Sequence, residues 1–277
     1  MKKLCLLFVL IAGILTLAAC GGGNGGDDGV TTVRVGVVGA WNDHWVTINE
    51  ILEEEGIEVE LVIFSDFATP NRALNEGDID LNAFQHKMFL ASEIESHGYA
   101  IEYIADTFVV PMNVFPNPDR ISGIEDLQDG HRVGIPSDPT NGGRALQLLE
   151  AAGLIVLNAP AGANPSRFDI DLEASSVRLE IVEAESALLA SMLPDLEAAV
   201  IGGINAFTAG LRPIEDSIFR EDVDGAAHLV NVIAARSADL ENAERRAIFD
   251  AIVRAHHQDV IRENMLRDFG GAFIPVW

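Results

Sequence analysis

Cysteine is nearly absent from this 277-residue chain, with only Cys5 and Cys20 present, both near the amino terminus. Everything after residue 20 is therefore without a thiol, which excludes disulfides, zinc–thiolate sites and cysteine nucleophiles from any folded domain there. Basic residues are also scarce, 18 against 43 acidic ones, for a formal charge of −25. Such a field repels phosphate backbones and anionic lipid, so nucleic acid is excluded as a partner. The chain has no Gly-x-Ser-x-Gly elbow and no His-Glu-x-x-His pair, which removes the common secreted hydrolases. It has no His and carboxylate cluster at ligand spacing, so neither a metal nor a cofactor is expected. No internal repeat is evident, and long apolar runs are confined to one, Leu4 to Leu17.

That run follows Met1-Lys2-Lys3 and ends in Leu17-Ala18-Ala19-Cys20. A basic start, a short apolar core and small residues describe a secretory signal peptide over 1–19, too short to span a bilayer comfortably. Leu-Ala-Ala-Cys resembles the lipobox of bacterial lipoproteins, which implies lipidation at Cys20 and a cell-membrane anchor on the extracytoplasmic face. Residues 20–31, rich in Gly with Asn24, Asp27 and Asp28, read as a flexible tether.

The remaining length suits one large or two medium domains, and 48% apolar residues rule out disorder. Strand and helix patterns alternate. Val33 to Val38 reads as a strand, Trp45 to Glu55 as a helix stopped by Gly56, and Ile57 to Phe64 as a strand. Pro70 opens a short helix ended by Gly77; Ile79 to Phe84 is strand-like and His86 to His97 helical, with a strand over Ile101 to Val110. Ser122 and Glu125 have capping-box spacing. Arg132 to Ile135 and Ala198 to Ile201 are further strands, Asn141 to Ala152 a helix, and Glu241 to Phe269 one or two amphipathic helices. This alternation predicts an α/β fold with parallel, doubly wound sheets. The proline-rich stretch Pro111 to Pro118 and the pair Gly202-Gly203 mark two crossings between lobes. Lobe 1 is expected over 32–112 plus 210–277 and lobe 2 over 113–209, with a ligand cleft between them.

Ser137-Asp138-Pro139-Thr140-Asn141-Gly142-Gly143-Arg144 follows a strand and opens a helix. Bare amides there attract anions, and the glycines would let a ligand approach the backbone. Arg144 in the first turn opposes the helix dipole, which makes sense beside an anion: a ligand carboxylate gripped bidentately, or a protein carboxylate such as Asp138. Phe84 and His86 enter a helix from a strand end and can wall a pocket and hydrogen-bond a ligand; His86 can equally be a helix cap. Trp41 and Trp45 follow the first strand, where ligands bind α/β sheets, or they belong to the core. His256-His257 read as partly exposed helix residues, and Glu183 and Glu185 as a solvated face.

Phe67 to Leu74, Asp80 to Lys87, Ile135 to Asn141 with Arg144-Ala145-Leu146, Glu150 to Leu154 and Ala198 to Leu211 resemble the NlpA-type methionine-binding lipoproteins. These are the substrate-binding components of methionine ABC importers. The resemblance implies a two-lobed, periplasmic-binding-protein-like fold without catalysis, an amino-acid ligand with methionine foremost, and an ABC permease as partner. It implies that Phe84 lines the side-chain pocket while His86, Asn141 and Arg144 hold the head group. The chain departs from the family where Ile204 stands in place of a ligand-facing Asn, with Asn205 shifted by one. It departs again where Ala187-Leu188-Leu189-Ala190 replaces Gln-Leu-Pro-Arg. These departures leave open a dipeptide or another small carboxylate as ligand, or a ligand-free surface lipoprotein or adhesin.

Overall fold

The computed structural model describes residues 30–277 apart from 41, 161, 270 and 271; Cys20, the tether and Trp41 lie outside the described residues. The chain runs β1 (Thr31–Val38), α1 (His44–Leu52), β2 (Ile57–Phe64), α2 (Thr69–Glu76), β3 (Leu81–His86), α3 (Lys87–His97) and β4 (Ile101–Val109). It then enters β5 (Met112–Pro116), β6 (Arg132–Pro136), α4 (Pro139–Ala151), β7 (Glu180–Ala184), α5 (Leu189–Met192), β8 (Ala198–Gly202), α6 (Gly203–Thr208) and β9 (Phe219–Arg220). It ends in β10 (Val230–Arg236), α7 (Ser237–Leu240), α8 (Ala243–His256), α9 (Asp259–Asp268) and β11 (Ile274–Pro275).

Two sheets result, one in the order β11-β4-β10-β3-β1-β2 and the other β7-β6-β8-β5-β9. Each is the centre of an α/β lobe. Neither is wholly parallel, as the alternation predicts. β1 pairs in parallel with β2 and β3, but β10 returns from the second lobe and inserts antiparallel between β3 and β4. In the second sheet β5 runs antiparallel to both β8 and β9. A strand arriving by a crossing from another lobe has no preceding helix to set its direction, so alternation alone cannot reveal it. The sheets also move the lobe boundaries. Met112 begins β5 and Phe219–Arg220 pairs with it, so both belong to the second sheet. The return crossing falls between 221 and 229 rather than at Gly202-Gly203, which instead ends β8 and opens α6 within lobe 2.

Local chemistry explains the elements that flank the cleft. Val33, Val35 and Val37 of β1 are all buried, as a strand covered on its faces requires. Gly77 ends α2 at a φ of 87°, a left-handed position that costs glycine nothing, and its amide reaches Ala73 and Leu74 carbonyls. Asp126, not Glu125, caps the turn after Ser122, accepting from the Ser122 amide and hydroxyl, each at 2.9 Å. A closed amide network then ties α2 to β3. Asn71 donates to Gln85 at 2.7 Å, while Asn82 and Gln85 donate to Asn71 at 2.9 and 2.6 Å. All three side chains are buried, so their mutual satisfaction fixes where Phe84 and His86 stand.

Each lobe carries its own core. In lobe 1, α1, α8 and α9 bring Trp45, Ile48, Phe249, Ile252, Ile261 and Met265 onto the sheet. In lobe 2, Leu146 and Leu149 of α4 pack on Val133, Ile135, Ala198 and Val200. Trp45 is thus a core residue, 2% exposed and 5.7 Å ring to ring from both His44 and His256. His256 is buried as well, not partly exposed as a residue of a surface helix would be. The reason is that α8 lies with that face against α1, a pairing separated by about two hundred residues of sequence.

Candidate ligand-binding cleft

The cleft forms where the carboxyl ends of β3, β6 and β8 face each other across the lobes. α4 opens directly after β6, and Asp138 is its cap, accepting from the Asn141 amide and the Thr140 hydroxyl at 2.9 Å each. The anion site expected at this helix start is therefore filled by its own side chain. The glycines serve packing rather than ligand approach. A Cβ on Gly142 would stand 2.7 Å from the Pro136 carbonyl oxygen, and one on Gly143 3.0 Å from that of Pro165.

Arg144 is buried, and its anion is Glu221, from the segment that leaves β9. Arg144 Nε donates to Glu221 Oε1 at 2.6 Å and Nη2 to Oε2 at 2.5 Å, with a further bond from Nη2 to the Val110 carbonyl at 2.9 Å. Glu221 Oε2 also accepts from the Met112 amide at 2.9 Å. The fork is thus held edge-on by the protein, which leaves Nη1 as its open side. Nothing near Arg144 in sequence announces Glu221, which is 77 residues away.

His86 caps α3 through Nδ1, which accepts from the Phe89 amide at 3.1 Å, so the ring proton sits on Nε2. Nε2 lies 3.1 Å from Asn141 Oδ1 and donates to it across the two lobes. Burial, followed by the charge of Arg144, pushes the His86 pKa down to about 3. His86 is therefore a neutral cap and a bridge that orients Asn141, whose amide nitrogen in turn reaches both Asp138 carboxylate oxygens at 3.1 Å.

These residues border a cavity of about 50 Å³ lined by Phe67, Asn141, Arg144, Ser186, Asn205 and Asn231 among others, with Ile204 beside Asn205. Phe84 stands one layer back, its ring 6.0 Å from that of Phe67 and stacked on it. Of the expected site residues, Asn141, Arg144 and Asn205 meet at the cavity, His86 and Phe84 support it from behind, and Trp45 does not approach it. Ser186, Asn205 and Asn231 are each at least nine-tenths buried, yet none makes a side-chain hydrogen bond among the described residues. Asn231 enters because β10 sets it opposite His86 in the ladder. Its only sequence signal is a lone amide inside the apolar run Leu229 to Ala234. Ser186, Phe67 and Glu221 carried no such signal.

Two α/β lobes with a polar cavity between them, joined by two crossings, define a two-lobed ligand-binding protein. The family model described as NlpA lipoprotein matches residues 33–277, and the chain belongs to that family. The D-methionine-binding lipoprotein MetQ of Salmonella typhimurium is 36% identical over 273 residues, covering 96% of this chain and 95% of the relative. The crystal structure of the substrate-binding protein of a methionine transporter from Streptococcus pneumoniae aligns with a TM-score of 0.84 and 30% identity, over 89% of this chain and 96% of that one. A nutrient-binding protein from Burkholderia cenocepacia, solved bound to methionine, aligns with a TM-score of 0.81 and 31% identity, over 88% and 100%.

Proposed function

We propose that this chain is the lipid-anchored substrate-binding component of an ABC importer and that its cleft binds methionine. The observation that carries the reading is the trio Ser186, Asn205 and Asn231, buried around one cavity without partners. Their polar atoms open onto the cavity rather than being sealed within protein, so a polar ligand there can bond to all three. An empty cleft, as a purely structural lipoprotein would have, fits this poorly.

A free amino acid matches the groups on offer. Its carboxylate suits the open Nη1 edge of Arg144, and its ammonium suits the amide and hydroxyl oxygens of Asn205, Asn231 and Ser186. The thioether side chain would leave along Phe67, whose position Phe84 fixes; a flexible, polarizable sulfur packs well on aromatic rings. Ile204 faces the same cavity and supplies an apolar contact while Asn205 provides the amide. His86 has both ring nitrogens committed to structural bonds, which supports a carrier without catalysis. The His86–Asn141 bond joins the lobes, so ligand entry requires it to break as the lobes open, and closure remakes it over the bound ligand.

With methionine at about 100 times its dissociation constant, mass action adds ~2.7 kcal/mol. That is a rise of roughly 5–10 °C in Tm for a protein of this size. A thermal-shift measurement should show it with methionine, and Asn231→Ala should reduce it sharply at the same concentration. No shift with methionine beside a clear shift with another amino acid would remove the ligand assignment and leave the carrier role.

The anchor is proposed at Cys20, placing the lobes on the outer face of the cell membrane beside the permease. Cys20→Ala should be recovered without lipid mass and released from membranes, since a stable anchor takes more than one acyl chain or signal. Unchanged mass and retention in that variant would refute the anchor.

A further inference from the structure

One short helix links the cavity to the contact between the lobes. α6 follows β8 of lobe 2, and its Ala206 is buried in that lobe's core. Its opposite face lies on lobe 1. Ile204 and Phe207 pack against the lobe 1 core, and the Phe207 ring stands 5.5 Å from that of Phe269 and 5.7 Å from that of Phe273. Ile204, Phe207 and Thr208 share this face at the i, i+3, i+4 spacing of a helix, while Asn205 between them lines the cavity. What Ile204 and Thr208 meet on lobe 1 is Gly39, where β1 has ended and φ is 77°. A Cβ on Gly39 would stand 2.8 Å from Thr208 Oγ1 and 3.4 Å from Ile204 Cγ2, and the first distance is shorter than real Cβ atoms tolerate. Both sides of the contact are held in place. The Gly39 amide donates to the Phe64 carbonyl at 3.2 Å, and its own carbonyl accepts from the Asn42 side chain at 2.9 Å. The Thr208 hydroxyl donates to the Ile204 carbonyl at 2.8 Å.

We propose that Gly39 is the seat on which α6 lands as the lobes close, a positioning residue whose missing side chain sets the width of the closed cleft. This rests on reading the polar cavity as a ligand site between closing lobes, and not on methionine as the ligand. A side chain at position 39 would touch no ligand. It would hold α6 away from lobe 1 and draw Asn205 back with it, so that the binding-competent closed state becomes rarer.

Calorimetry with methionine as the probe reads the effect through a double-mutant cycle. Gly39→Ala should weaken binding about five-fold or more, because apparent affinity scales with the fraction of molecules that can close. The same substitution in a Thr208→Ala chain should cost less than about two-fold, since removing Oγ1 leaves only the ordinary contact with Ile204. Alanine at a positive φ strains the backbone and lowers Tm in both backgrounds alike, so the difference in affinity isolates the propping of the lobes. An equal loss of affinity in both backgrounds overturns the proposal. A second measurement needs no ligand assignment. Gly39→Cys with Thr208→Cys, in the full chain carrying Cys20→Ala, has no other thiol after residue 5. Thr208 Oγ1 marks where the introduced sulfur sits, 2.8 Å from the Cβ position of residue 39. Disulfide geometry sets about 3 Å between one Cβ and the partner sulfur. Mild oxidation should therefore join the lobes, read as the loss of two hydrogens in the mass. The joined chain should exchange methionine at least about ten-fold more slowly until reductant is added. Failure to crosslink, or free exchange in the crosslinked chain, overturns the proposal. If the wild type does not bind methionine, the ligand assignment falls and crosslinking alone decides.

Discussion

Replacing Arg144 with alanine should lower the stability of the fold by about 3–5 kcal/mol and abolish ligand binding at practical concentrations. The stability loss comes from Glu221. Its side chain is only 11% exposed, and losing the guanidinium leaves its charge buried with one remaining bond, to the Met112 amide. Breaking a buried pair by removing one partner costs this much, whereas removing both charges together is often neutral. Arg144→Leu combined with Glu221→Leu should therefore return most of the stability in urea denaturation, yet restore no binding. Arg144→Lys should recover part of each, because an ammonium cannot reproduce the fork that meets Glu221 with two bonds. A double variant as unstable as Arg144→Ala would show that the pair is not the source of the loss. Wild-type calorimetric affinity in Arg144→Ala would remove Arg144 from the head-group site.

Acid should weaken the protein well before its carboxylates titrate. His44 is buried and its pKa is pushed down to about 4 by that burial; His86 is pushed down to about 3 by burial and by Arg144. Burial drives His256 in the same direction. Nδ1 of both His44 and His256 is buried with no hydrogen-bond partner, and in His256 desolvation outweighs a backbone hydrogen bond that favours the charged ring. The unfolded chain binds protons at these sites near the ordinary histidine pKa of about 6.5, while the folded chain does not. Stability is therefore complete above that value and falls as pH drops, by up to ~1.4 kcal/mol per unit for each group, until the folded pKa is reached. At pH 5 His44 and His86 together account for a loss of about 4 kcal/mol relative to pH 7.5. The charge of −25 works the other way, since self-repulsion eases as the chain approaches its isoelectric point. The variant His44→Met separates the two, because it keeps the carboxylates and removes one histidine. Unfolding free energies from urea denaturation at the two pH values should differ by about 2 kcal/mol less in this variant than in the wild type. An equal drop in both would assign the acid sensitivity elsewhere.

Much of the cleft was legible before any coordinates. The strand-to-helix starts at Asp80 to His86 and Ile135 to Arg144 both lie at the site, because a strand end entering a helix is a local event written in consecutive residues. What each residue does there was less legible. Arg144 called for an anion, and the nearby Asp138 was the candidate partner in sequence. The structure gives Asp138 to the helix cap and supplies Glu221 through a segment 77 residues on. The glycines of the same motif suggested ligand approach, but backbone carbonyls of Pro136 and Pro165 occupy the space a side chain would need. Trp45 sat one turn from a plausible site, and the packing of α8 against α1 drew it into the core.

By itself the sequence determined the class of fold, the absence of thiol chemistry, the mixture of α and β elements and the start of α4, whose Asn141 and Arg144 line the cavity. These follow from composition, periodicity and capping, each of which acts over a few neighbouring residues. Tertiary structure alone decided which groups are left without partners. Ser186, Asn205 and Asn231 come from three separate segments, and only the closing of two lobes brings them around one cavity. It also decided that β10 runs antiparallel between β3 and β4, which is what sets Asn231 opposite His86. Hydrogen bonds within a turn are specified locally, but an unsatisfied donor or acceptor is a property of everything packed around it.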